Sequence, residues 1–223
     1  MSGIEAVVSD FGGVLTTPLM RAFAALQDEN DLEPGALGAA LRRIAERDGR
    51  HPLYELECGR MTEHDFLAEL SAQLREDLGR DDIELDSFAE RYFTHLEPNH
   101  AMIAFLGELR ERGYRLGLLT NNVREWEARW RAMLPVDALF EVVVDSAFVG
   151  LRKPDPAIYR LTCERLGVAP ERCVFVDDVE VNCTAAAELG MAAVLFRSSE
   201  QAIAEVREAL GGGQLSEPSR SQR

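Results

Sequence analysis

Residues 4–15 read IEAVVSDFGGVL, and the fold turns on how that stretch is parsed. Ile4 to Ser9 is a short apolar, β-branched run of strand length. It delivers one carboxylate, Asp10, and after Phe11 come two glycines, Gly12 and Gly13. An aspartate beside glycines is, in isolation, more often a turn than a reactive group. The remainder of the chain decides between the two.

Runs of the same kind recur at residues 116–119, 141–144, 173–176 and 192–196. From Tyr114 onward they alternate with helical patterns at residues 123–133, 156–166, 181–189 and 200–210. Such alternation predicts an α/β architecture, a parallel sheet of Rossmann-like topology covered by helices. Asp155 followed by Pro156 reads as an N-cap with proline in the first turn, and Gly167 and Gly190 stand where helices end. Between Thr16 and Asn99 the periodicity is helical and no strand is expected. Leu19, Phe23 and Leu26 share one face, Leu37, Leu41 and Ile44 a second, and Phe66, Leu70 and Leu74 a third, with Thr62 as a helix N-cap. The expected organisation is a core of residues 1–16 and 98–210, an inserted α-helical cap at 17–97, and a disordered tail at 211–223.

Across 223 residues, 24 Lys and Arg face 39 Asp and Glu, a formal charge of -15. That excess argues against non-specific attraction to nucleic acid or to anionic lipid, and favours small-molecule partners. An anionic substrate would need local compensation from a metal ion, helix N-termini or a placed lysine. The cysteines, Cys58, Cys163, Cys173 and Cys183, form no CxxC pair, so neither a zinc site nor a disulfide framework is signalled. No basic leader precedes the first apolar run, and no run approaches the ~20 apolar residues of a membrane span. A soluble, cytoplasmic protein with reduced thiols is expected, and oligomeric state is not legible.

Four stretches fall at the C-terminal ends of the expected strands, where open parallel sheets bind ligands. They are Asp10, then Thr120-Asn121-Asn122, then Arg152-Lys153-Pro154-Asp155, then Asp177-Asp178. Each type suits phosphoryl transfer: a carboxylate to attack phosphorus, a hydroxyl and loop amides to hold its oxygens, a lysine to neutralise them, and paired acids for a cation. Blander readings exist for each. The Thr-Asn-Asn stretch could cap a helix beginning near Val123, and Lys153 alone could be a solvated surface lysine. Two adjacent acids at a strand mouth repel one another unless a cation or donor lies between them. His51 and His64 read as solvent-exposed, and Trp126 with Trp130, at i and i+4, as one apolar helix face rather than a ligand platform.

DFGGVL at 10–15, LLTNN at 118–122, GLRKPDPAIY at 150–159 and VFVDDVEVN at 174–182, in that order, resemble the haloacid dehalogenase superfamily. The likeness is to its subgroup with an α-helical cap, which includes the phosphatase domain attached to soluble epoxide hydrolases. The resemblance implies a magnesium-dependent phosphatase acting on a small phosphorylated molecule. Asp10 would be the nucleophile, Thr120 and the amide of Asn121 would bind phosphate, and Lys153 would orient both phosphate and Asp10. Asp10, Asp178 and the carbonyl of Gly12 would hold Mg2+, with Asp177 and Asn182 supporting the metal or binding it in part. Gly12 departs from the family pattern, since its phosphatases usually carry there a second aspartate that acts as general acid and base. Three readings stay open: a phosphatase whose proton comes from water or from His51, Tyr54 or His64, or whose leaving groups need little help; a dehalogenase, whose halide leaves without a proton; or a ligand-sensing or interaction protein. The Asp177-Asp178 pair counts against the second, and the retention of Asp10 and Lys153 against the third.

Overall fold

The computed structural model describes residues 3–17, 27–28, 30–85, 88–94 and 96–211. Strand β1 (Ala6–Ser9) opens the chain, and helices α1 (Ala36–Asp48), α2 (Pro52–Glu57), α3 (Glu63–Leu78) and α4 (Phe88–Thr94) follow. Helix α5 (His100–Glu111) leads into β2 (Arg115–Thr120), and a 3-10 turn at Arg124–Trp126 into α6 (Glu127–Met133) and α7 (Val136–Leu139). Then come β3 (Val142–Asp145), α8 (Ser146–Val149), α9 (Pro156–Leu166), β4 (Cys173–Asp177), α10 (Glu180–Glu188), β5 (Ala192–Leu195) and α11 (Ser199–Ala209).

The five strands form one parallel sheet in the order β3-β2-β1-β4-β5. Strand β1 lies at its centre because its residues are apolar on both faces. Ala6 and Val8 pack into the layer of α9 and α10 with Ile158, Tyr159 and Phe175, while Val7 packs on the other face with Leu116, Leu118 and Val174. All four residues of β1 are fully buried, as a central parallel strand requires. Ser9 is in register with Leu118 on one side and Val176 on the other. Asp10 therefore leaves the sheet level with the ends of β2 and β4. The connections run outward from β1 through β2 to β3 and then return to β4, so the order reverses between β1 and β4, and the crevice for a ligand opens there.

Each expected strand is present, within a residue or two of its expected limits. Thr62 caps α3 by accepting the Asp65 N–H at 3.1 Å, and Asp155 caps α9 by accepting that of Ala157 at 2.8 Å. Where the chain leaves the sheet layer and returns to it, Thr16 pairs with Pro98, the Asn99 N–H reaches the Leu15 carbonyl at 2.8 Å, and the Asn99 amide group reaches that of Val14 at 2.8 Å. Leu37 and Ile44 of α1 and Phe66, Leu70 and Leu74 of α3 are buried together, which is the burial their spacing called for. Leu19, Phe23 and Leu26 lie outside the described residues, as does the tail from residue 212. No described helix is long and apolar enough to cross a membrane. The four cysteines are buried free thiols.

Trp126 and Trp130 are both buried in one apolar cluster, as an apolar face requires. Residues 124–126 wind as a 3-10 turn that runs directly into α6. Trp130 meets the ring of Phe11 edge to face at 5.4 Å, whereas Trp126 lies 4.7 Å from Tyr92 and forms part of a cavity wall.

Candidate active site

The sheet brings the four stretches to one place. Asp10 is fixed by its own N–H, which donates to the Val176 carbonyl at 2.8 Å, and its carboxylate turns into the crevice between β1 and β4. Lys153 is 1% exposed, which excludes a solvated surface lysine. Its ammonium lies 2.7 Å from Asp10 Oδ1 and 2.6 Å from Asp177 Oδ2. Burial disfavours the charged amine, yet the two carboxylates more than offset it and hold Lys153 above its ordinary value. Burial is also the main force on Asp10, pushing it up to about 7; Lys153 opposes the rise, and Asp177 and Asp178 add to it.

Asp177 has no exposed surface and both of its oxygens are engaged. Oδ2 accepts from Lys153, Oδ1 accepts the Val179 N–H at 2.8 Å, and the Asn182 amide spans both at 3.0 and 3.1 Å. Asn182 is steadied in turn by Tyr159, whose hydroxyl donates to its carbonyl at 3.0 Å. Among the described residues no other side chain donates to Asp178; burial raises it, and repulsion from Asp177 adds to the rise. Carboxylate oxygens of Asp10, Asp177 and Asp178 all lie within 4.8 Å of one another. Three acids and one ammonium leave this pocket two charges negative if all are ionised. A divalent cation would balance that number, and hard carboxylate oxygens suit magnesium.

The two glycines of the opening stretch have separate reasons. Gly13 has φ +81°, and a Cβ there would stand 2.2 Å from Asp178 Oδ2. Only glycine lets the loop pass that close to the acid. Gly12 borders a cavity that Thr120 and Asn121 also line, and adds no side chain to it.

On the β2 side, Thr120 is buried at the strand end. Asn121 and Lys153 are tied reciprocally: the Lys153 N–H donates to Asn121 Oδ1 at 2.9 Å, and Asn121 Nδ2 donates to the Lys153 carbonyl at 3.1 Å. The Asn121 side chain thus holds the lysine loop, a role that no local pattern signals. Asn122 does not cap a regular helix; its Oδ1 accepts the next N–H, that of Val123, at 2.9 Å, and its own N–H donates to Ser146 Oγ at 3.0 Å.

A cavity of ≈ 110 Å³ lies over these loops. Its floor includes Phe11, Gly12, Thr120 and Asn121, and its walls come largely from α1–α4, with Leu41, Leu56, Phe66 and Tyr92 among them. None of His51, Tyr54 or His64 lines it. His51 stacks on Tyr54 at 4.2 Å beside a surface pocket shared with Arg152, and His64 lies in a groove with Arg75 and Arg129. Glu57, which sequence reasoning passed over, does line the cavity and pairs with Arg152 at 2.7 Å.

Bifunctional epoxide hydrolase 2 of Sus scrofa is 27% identical over 226 residues, 96% of this chain and 40% of that protein. The chain spans half or less of the length of several curated relatives that it matches, this one included. The crystal structure of a HAD phosphatase from Thermococcus onnurineus superposes with a TM-score of 0.60 at 26% identity, covering 94% of this chain and 99% of that one. The magnesium complex of a HAD family enzyme from Bacteroides thetaiotaomicron gives 0.59 at 25%, covering 86% of this chain and 93% of that one. The family model for haloacid dehalogenase-like hydrolases matches residues 4–190, and the chain belongs to that family.

Proposed function

We propose that this hydrolase is a magnesium-dependent phosphatase that cleaves a small phosphomonoester through an aspartyl phosphate on Asp10. One observation carries the reading: a buried lysine holds Asp10 at 2.7 Å while Asp177 and Asp178 converge on the same point. In it, Asp10 attacks phosphorus in line with the leaving oxygen, and Lys153 keeps that carboxylate ionised and aimed. Thr120 and the backbone amide of Asn121, both at the end of β2, hold phosphoryl oxygens. Mg2+, held by Asp10, Asp178 and the Gly12 carbonyl, supplies the positive charge that lets an anionic phosphate enter an acidic crevice. Asp177 and Asn182 serve behind it, because the oxygens of Asp177 are committed to Lys153, Val179 and Asn182. Helices α1–α4 act as the cap that excludes bulk water and selects the substrate. The magnesium complex and the phosphatase among the solved relatives support the assignment. The unpaired buried thiols agree with a reducing, cytoplasmic setting.

The test is phosphate release from sugar, nucleotide, acyl and lipid phosphates, with Mg2+ or with chelator, for the wild type and Asp10→Asn. Release that needs both Mg2+ and Asp10 is expected. Halide release from 2-haloacids without metal, or phosphate release that survives in Asp10→Asn, would overturn it.

A further inference from the structure

An alcohol or sugar oxygen leaves phosphorus poorly unless it is protonated, and Gly12 brings no acid. Among the described residues that α1–α4 contribute to the cavity, Leu37, Leu41, Leu53, Leu56, Phe66, Leu70 and Phe93 have no ionisable proton. Only Glu57 and Tyr92 remain. Burial, with the charges of Asp10, Glu57 and Asp178, drives the Tyr92 phenol well above its ordinary value, which makes it a weaker acid than free tyrosine.

Glu57 is the last residue of α2, and its side chain is 16% exposed. Arg152 Nε donates to Oε2 at 2.7 Å, and among the described residues Oε1 takes no hydrogen bond. One oxygen is thus anchored and the other is available. The guanidinium of Arg152 is itself seated 3.9 Å over the Tyr54 ring, so the anchor is fixed from α2 as well. Arg152 immediately precedes Lys153, whose ammonium holds Asp10, so a short run of chain links Glu57 to the nucleophile. The groups that act on it are Arg152 and Lys153 from the loop before α9 and Tyr92 from α4. Burial outweighs the two cations and raises Glu57 above the usual carboxyl range.

We propose that Glu57 is the general acid and base of this site, replacing the side chain that position 12 lacks. This rests on the phosphatase reading. In the first step Asp10 Oδ bonds to phosphorus, the bond from phosphorus to the leaving oxygen breaks, its electron pair stays on that oxygen, and the Glu57 carboxyl proton moves there to give the free alcohol. In the second step the Glu57 carboxylate takes a proton from water as the water oxygen bonds to phosphorus. The Asp10–phosphorus bond then breaks, which releases inorganic phosphate and restores both acids.

The experiment measures kcat/KM for a series running from alkyl phosphates through phenyl and p-nitrophenyl phosphate to acetyl phosphate, in Mg2+, for the wild type, Glu57→Gln, Glu57→Asp and Asp10→Asn. Glu57→Gln is expected to lose about 10²- to 10⁴-fold on alkyl phosphates and less than about 10-fold on p-nitrophenyl and acetyl phosphate, so that rate depends more steeply on leaving-group basicity. Glu57→Asp, which keeps an acid one methylene short, is expected to fall between; it also serves if the glutamine variant does not fold. Equal losses across the series in the folded variant would overturn the proposal and leave Glu57 a structural partner of Arg152. Activity retained by Asp10→Asn would instead sink the phosphatase reading beneath it.

Discussion

Lys153→Met keeps most of the buried stem and removes only the ammonium. The wild-type ammonium is 1% exposed and stands 2.7 and 2.6 Å from two carboxylates that are themselves nearly inaccessible. Removing one partner of a buried ion pair costs about 3–5 kcal/mol, because the charge left behind keeps its desolvation penalty. For a chain of this size each kcal/mol moves the melting temperature by about 2–4 °C, so a drop of roughly 6–20 °C is expected in chelator. Scanning calorimetry reads it directly. Asp177→Asn in the same background removes one of the two stranded charges, so the double variant should be more stable than the sum of the singles by about 0.5–3 kcal/mol. Magnesium should raise the melting temperature of Lys153→Met and of the wild type alike, since on the proposed reading a divalent ion would compensate the same acids. A variant melting within about 2 °C of the wild type in chelator, or a strictly additive cycle, would refute the claim that Lys153 holds the acids together.

Three more outcomes follow from the same geometry. Gly13→Ala places a Cβ 2.2 Å from Asp178 Oδ2 at φ +81°, so the acid must retreat and the backbone is strained by about 1–2 kcal/mol; titration calorimetry should show Mg2+ affinity reduced by about 10- to 100-fold, and unchanged affinity would mean that Asp178 is not a ligand. Gly12→Asp should raise turnover of alkyl phosphates more than that of p-nitrophenyl phosphate, with the larger gain in a Glu57→Gln background; equal gains on both substrates would show that proton donation is not what position 12 lacks. Asp145, the N-cap of α8, is pushed up to about 6 chiefly by burial, against 3.8 for the free group. The folded state therefore keeps a proton that the unfolded chain releases, and this group's stabilising contribution is present at low pH and lost as pH rises through about 6. Urea unfolding should show the wild type losing about 2 kcal/mol relative to Asp145→Asn between pH 4.5 and 7.5, and a difference that does not vary with pH would count against it.

The strands were legible because a central parallel strand is buried on both faces, so Val7-Val8 and Val174-Phe175-Val176 read as unbroken apolar runs. The loop residues at their ends were legible by type, since Asp10, Thr120, Lys153 and Asp177-Asp178 keep their order along the chain. Their pairwise roles were not. That Lys153 is shared between Asp10 and Asp177 depends on β4 lying beside β1, a neighbour relation across more than 160 residues that no local pattern encodes. The reciprocal bond of Asn121 with Lys153 is hidden for the same reason. Gly13 looked like a turn residue, and the demand on it comes from Asp178, far along the chain. Glu57 sits in PLYELECG among other charged and apolar residues and carries no local signal; only the approach of α2 to the loop before α9 distinguishes it.

The acids are also unequal in a way that fixes a division of labour. Asp177 is satisfied on both oxygens by groups of the folded chain, so its charge is already spoken for before any ligand arrives. Asp10 gives one oxygen to Lys153 and keeps the other. Asp178 sits in the space that Gly13 leaves open, without a comparable donor set among the described residues. On the proposed reading, a cation entering the crevice would find its free valence at Asp10 and Asp178, while Asp177 would anchor the lysine that holds Asp10. The arrangement predicts that Asp178→Asn weakens Mg2+ binding with little loss of stability in chelator, whereas Asp177→Asn lowers the melting temperature in chelator, because it strips the buried lysine of one of its two counter-charges. If calorimetry found the reverse, with Asp178 the stabilising acid and Asp177 the one that sets metal affinity, the roles drawn from these hydrogen bonds would have to be exchanged.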